Sequence, residues 1–304
     1  MGKESKMFED RPTVINDIEF YKLENDPFQI NGSVVDFGME EGEIPHFPYN
    51  KAIYRTDEFG DIASGLGIVG ADYPLTTHRE FFTRQHDMLM AKFPAKHLEN
   101  ITAKYKTSLG GAWALQDISF NDIKFPLGNE HHKTELGLRS VSWHSVNGSA
   151  SNNALFGAID FFCTNGMITG EYDVVKKKNT KNFDMRKFVD EIEKSVDEFY
   201  DTVKKYQAWA NRKITLEDAK NVIEFLPVAD RNKPKLLTIY EIERDTRGGN
   251  LWALYSAFTN YSSHTDNGFA VRQTKHDHEA KSMLEREFKV AQWVDSEEFV
   301  RLAA

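Results

Sequence analysis

From Ile101 to Phe162 the chain keeps a period of two, interrupted by short turn signals, and nothing else constrains its fold as tightly. Ile101, Ala103 and Tyr105 alternate with Thr102, Lys104 and Lys106 up to Gly110-Gly111. Trp113 to Phe120 reads as the returning strand. Leu136 to Val146 reads as a third, closed by Asn147-Gly148 and a loop of Ser and Asn, and Leu155 to Phe162 as a fourth. Successive strand side chains point to opposite faces, so each run can bury one face. Intervals this short leave no room for parallel crossovers. The expectation is an α+β fold, an antiparallel β-meander flanked by helices.

Helix signals lie on both sides of the meander. Thr77 and Glu80 have capping-box spacing ahead of Phe81, Phe82, Gln85, Met88, Leu89 and Phe93, and Pro94 ends that run. Asp184 opens a long amphipathic helix in which Met185, Phe188, Val189, Ile192, Val196, Phe199, Tyr200, Val203, Tyr206 and Trp209 recur at three and four. Thr215 to Asp218 starts another helix, ending before Pro227. A polar loop follows with Lys233-Pro234 and Arg247-Gly248-Gly249, and Asn250 caps Leu251 to His264. The organisation expected is an acidic, partly irregular arm over 1–50, an α+β core over 51–270 and a charged helical tail over 271–304.

Charge narrows the partners. The net charge is −9, and residues 1–60 hold 13 Asp+Glu against 6 Lys+Arg. Tyr172 to Lys187 reverses this with 6 Lys+Arg against 2 Asp. The longest apolar stretches, such as Ala154 to Cys163, fall well short of the ~20 residues that cross a bilayer. The start of the chain lacks the apolar core of a signal peptide. The single Cys163 excludes an intramolecular disulfide and a cysteine-cluster zinc site. The expected location is cytoplasmic, with no membrane partner.

Catalytic patterns fail one by one. Ser64 to Gly70 is glycine-rich but has no Gly-Lys-Ser/Thr for a phosphate loop, and reads as a turn or a strand against close-packed backbone. His131-His132, His264 and His276-Asp277-His278 lack the spacing of a metal site. Ser145, Ser149 and Ser151 lie in turn chemistry without a nucleophile elbow. Asp117, Asp122 and Asp160 leave a metal-dependent nuclease as an alternative. The reading is therefore non-enzymatic, with no catalytic residue, cofactor or metal. One cluster remains, the basic run Lys176, Lys177, Lys178 and Lys181 with Arg186 and Lys187, between the last strand and the long helix. Lysines at that junction can neutralise phosphates. Arg139, Trp143 and His144 on the adjacent strand offer a guanidinium and a ring for base stacking, although Trp143 also suits a core position.

Two stretches carry a resemblance. Leu138 to Ser149 (LRSVSWHSVNGS) followed by Phe161 to Met167 (FFCTNGM) resembles the "NSHDGS … RVVCxNTL" pattern of a phage- and plasmid-borne family of unknown function. Leu251 to His264 is similar to that family's late "LxNAxTEYxDH" helix. The likeness spans roughly Ile62 to His264, with Val146-Asn147 where the family often has Asp and Asn260 where it often has Glu. Its element order looks like the core of the RecT/Erf/Redβ single-strand-annealing superfamily, whose subunits form rings or filaments and hold DNA in a basic groove. The resemblance implies single-stranded DNA binding and strand annealing in phage-type recombination or replication, by a homo-oligomer. Cys163 and Asn165 are assigned to packing and turn formation. The alternatives are the nuclease and a phage protein that binds a host or replication protein through its acidic arm.

Overall fold

The structure, a computed structural model, describes residues 47–56, 59, 61–92, 100–129, 132–160, 166–168, 175–177, 200–264 and 279–304, with strand segments at 13–14 and 30–35. The strands are β1 (Thr13–Val14), β2 (Ile30–Val35), β3 (Phe47–Thr56), β4 (Ile62–Gly70), β5 (Ile101–Ser108), β6 (Trp113–Gly128), β7 (Lys133–Ser145), β8 (Asn152–Asp160), β9 (Gly166–Ile168) and β10 (Val175–Lys177). The helices are α1 (His78–Lys92), α2 (200–211), α3 (Leu216–Phe225), α4 (Lys233–Arg247), α5 (Leu251–His264), α6 (Glu279–Trp293) and α7 (Glu297–Ala303).

The meander forms as expected and is extended at both sides. The large sheet is antiparallel in the order β1-β5-β6-β7-β8-β10, with β9 also pairing to β8. A smaller sheet has the order β2-β3-β4. Two strand segments thus fall within the stretch read as a partly irregular arm. The hairpin between β5 and β6 turns through Leu109, Gly110 and Gly111, all at positive φ, which accounts for the adjacent glycines. Strand β6 runs beyond Phe120 to Gly128 across a register shift, so its second half is longer than the alternation predicts.

Strand β7 is covered on both faces. Val141 and Trp143 join Trp113 and Leu115 of β6 beneath Met283, Leu284 and Phe288 of α6. Leu136, Leu138 and His144 point the other way, and α1 lays Phe81 and Phe82 on that side, Phe81 stacked on His144. On a one-sided strand the β7 side chains would alternate between buried and exposed, yet all ten from Leu136 to Ser145 are buried. Beyond the sheet, Tyr206 and Trp209 of α2, Trp252, Tyr255 and Phe258 of α5, Trp293 of α6 and Phe299 of α7 share one aromatic cluster. The small sheet packs Ile53 and Leu66 against Ala112 and Val146 at the tip of the β6–β7 pair.

The helix starts obey local chemistry. Thr77 Oγ1 accepts from the Glu80 amide at 3.1 Å while Glu80 accepts from the Thr77 amide at 2.8 Å. Thr215 and Asp218 repeat the reciprocal cap on α3, and Asn250 Oδ1 accepts from the Ala253 amide at 2.8 Å on α5. The polar loop expected around Lys233-Pro234 is corrected: it is helix α4. Pro234 stands in the first turn, where a missing N–H costs nothing, and Leu236, Tyr240, Glu243 and Arg247 form its buried stripe.

Candidate nucleic-acid interface

Strand β10 places part of the basic run at the rim of the large sheet. Its register pairs Val175 with Ala154, Lys176 with Asn153 and Lys177 with Asn152. Among the described residues it is the last strand of the ladder on that side, which puts Lys176 and Lys177 at the edge of the described sheet. Lys178, Lys181, Arg186, Lys187 and the expected opening of the long helix lie outside the described residues. Within 200–211, Val203, Tyr206, Trp209 and Ala210 are buried at helical spacing.

Arg139 and Trp143 do not join that edge, which corrects their expected role. The Arg139 side chain is 3% exposed, with Nε and Nη2 donating to both Asp117 carboxylate oxygens at 2.8 and 2.7 Å. Nη1 and Nη2 donate to Glu287 of α6 at 2.9 and 3.2 Å. Burial opposes the guanidinium charge, and the two carboxylates more than offset that, raising its pKa. With its donors committed on both sides, Arg139 is a bolt between α6 and the sheet. Trp143 is 7% exposed and meets Phe288 edge to face, leaving no ring surface for a base.

A second charge network holds the opposite sheet face to α4. Arg247 pairs with Asp160 at 3.0 Å and with Glu243 at 2.6 Å, while Thr134 donates to Asp160 at 2.7 Å. His132 lies 3.3 Å from Arg247, its pKa lowered by burial and then by that guanidinium. Asp117 and Asp160 thus face opposite sides of the sheet, each bound to its own arginine, because Asp117 pairs with Val141 while Asp160 pairs with Leu136. Asp122 is near Asn100 at 3.5 Å. Among the described residues no group of three or more His, Cys, Asp or Glu could hold a metal ion. Ser145 Oγ donates to the Ala150 carbonyl at 2.9 Å, the turn role expected of it.

Sequence reasoning missed a third buried polar contact. His78 at the start of α1 meets His144 of β7, Nδ1 to Nδ1, at 2.8 Å, and its Nε2 lies 2.8 Å from the Gly111 carbonyl. A carbonyl only accepts, so His78 carries its proton on Nε2 and His144 donates from Nδ1. Gln85 of α1 donates to Ser142, next along the same face. The only sequence signal was a histidine inside an otherwise helical or strand pattern, and neither histidine points to the other.

A family model described as a domain of unknown function, DUF932, matches residues 66–286. The chain belongs to this family. The DUF932 span takes in the β5–β8 meander, α1, both arginine networks except Glu287, and the His78–His144 contact. No curated protein and no solved structure matches the chain. No described helix is long and apolar enough to cross a membrane.

Proposed function

We propose that this DUF932 protein binds single-stranded DNA without breaking bonds, and assists pairing of complementary strands in phage-type recombination or replication. The observation that carries the reading is the position of Lys176 and Lys177 in a strand that is the outermost of the large sheet among the described residues, within a segment of net charge +4 in a chain of net charge −9. A row of lysines along an edge neutralises successive phosphates and releases their counterions, and lowers repulsion between two strands held side by side. The phosphate-contacting set is Lys176, Lys177, Lys178, Lys181, Arg186 and Lys187, without Arg139 and Trp143. Assembly into a homo-oligomer would align such edges. The buried carboxylates support a non-catalytic role, since Asp117 and Asp160 spend their charge on Arg139 and Arg247.

The test is fluorescence anisotropy of a labelled single-stranded oligonucleotide titrated with the protein, with and without magnesium. Binding that weakens with salt and leaves the oligonucleotide uncut is the expected result. Magnesium-dependent cleavage, or no binding at low salt, contradicts it.

A further inference from the structure

Ser142 of β7 is the centre of a polar patch in the interior, on the face of the large sheet that α1 covers. Gln85 of α1 donates to its hydroxyl. Gln116 stands across from it on β6, and Ser140 and His144 are its neighbours two residues along the same face. Gln85, Gln116, Ser140, Ser142 and His144 are all 0% exposed. Four of the five nevertheless carry a buried polar atom with no hydrogen-bond partner among the described residues: Gln85 Oε1, Gln116 Oε1, Ser140 Oγ and His144 Nε2.

Native interiors pair nearly all such atoms, with protein groups or with ordered water. Four orphans around one serine point to a partner that they share. The glutamines cannot supply it themselves. Turning either amide over exchanges which of its atoms bonds to Ser142 or Tyr105, and leaves the other atom alone. His144 commits its Nδ1 proton to His78, so its Nε2 is a bare acceptor. Ser140 has both a proton to give and lone pairs to offer. The partner must therefore donate and accept. We infer that ordered water sits between α1 and the sheet and completes these four groups.

Charge and size select water as the occupant. Asp117 faces the other side of the sheet with Arg139, and Asp160, paired with Leu136 further along, is bound to Arg247. Burial keeps His78 and His144 neutral near pH 7. An ion would thus meet no opposite charge from these residues. The strand neighbours are small, with Ala154 opposite Ser142 and Ala114 opposite His144, which leaves room for a molecule no larger than water. A buried water typically makes about three hydrogen bonds, so about two molecules suffice for the four groups.

This inference is independent of DNA binding. The experiment is a crystal structure of the full chain, read for ordered water, together with urea melts of wild type and Ser140→Ala. Ser140 is the sharper probe because its hydroxyl bonds to no protein group among the described residues. In a dry interior alanine removes an unpaired hydroxyl and raises the urea midpoint. Beside ordered water it removes a hydrogen bond and lowers the midpoint. The expected result is water within about 3.2 Å of at least two of the four groups, and a lowered midpoint for the variant. Water beside fewer than two of them, or a midpoint that stays or rises, overturns the inference.

Discussion

His78 and His144 share one proton between two Nδ1 atoms 2.8 Å apart, and that contact pins the first turn of α1 to β7. Both rings are buried, and the hydrogen bond requires His78 Nδ1 to stay unprotonated: a proton there would point at the donor already in place. Burial lowers the His78 pKa to about 4, with the Gly111 carbonyl acting the other way. Burial and then the proximity of His78 hold His144 well below its ordinary value.

Acid should therefore loosen the fold through this pair. The unfolded histidines take up protons near pH 6.5, whereas the folded ones resist down to about pH 4 for His78. The stability they confer is whole above pH 6.5 and lost as pH falls from there towards 4. Each histidine contributes a slope of up to about 1.4 kcal/mol per pH unit in that window. Urea melts of wild type and His144→Phe across this range should show a shallower acid slope in the variant. Equal slopes would show that the pair does not titrate as described.

Arg139→Ala should be among the most destabilising substitutions in the protein. It leaves Asp117 and Glu287 facing each other with the guanidinium gone, and removing one member of a buried ion network costs about 3–5 kcal/mol. Glu287→Gln should cost less, because Arg139 keeps its two bonds to Asp117. Denaturant midpoints of the two variants decide the order.

Gly166→Ala tests the same bolt by bulk instead of charge. A Cβ at Gly166 would lie 2.6 Å from Arg139 Cζ and 2.9 Å from Glu287 Oε1, so β9 or the ion pair must move. A loss of about 1–3 kcal/mol is expected, in keeping with overpacking. Thermal melting at neutral pH is sufficient to read it.

What could be read from the chain was local. The capping boxes at Thr77–Glu80 and Thr215–Asp218 were visible because all their partners lie within one turn. The meander was visible because turn glycines punctuate a period of two. Helix α4 was hidden by Pro234, which breaks a helix interior but suits a helix start, and only the buried stripe reveals which applies. Arg139 was misassigned for a different reason. Its partner Glu287 is 148 residues away, and a sequence offers no sign of a pairing at that distance, so a buried bolt reads as an available cation. The lysine run was legible as composition, while the pairing of Lys176 and Lys177 with β8 is a matter of register.

The most direct test of the central claim compares the salt dependence of single-stranded DNA affinity in wild type and in the triple variant Lys176→Glu, Lys177→Glu, Lys178→Glu. Each phosphate contact adds about 0.7 to the slope of log affinity against log salt. The account predicts binding by wild type and, in the variant, weaker binding with a slope smaller by about 2. Equal affinity and equal slope in the two proteins would contradict it.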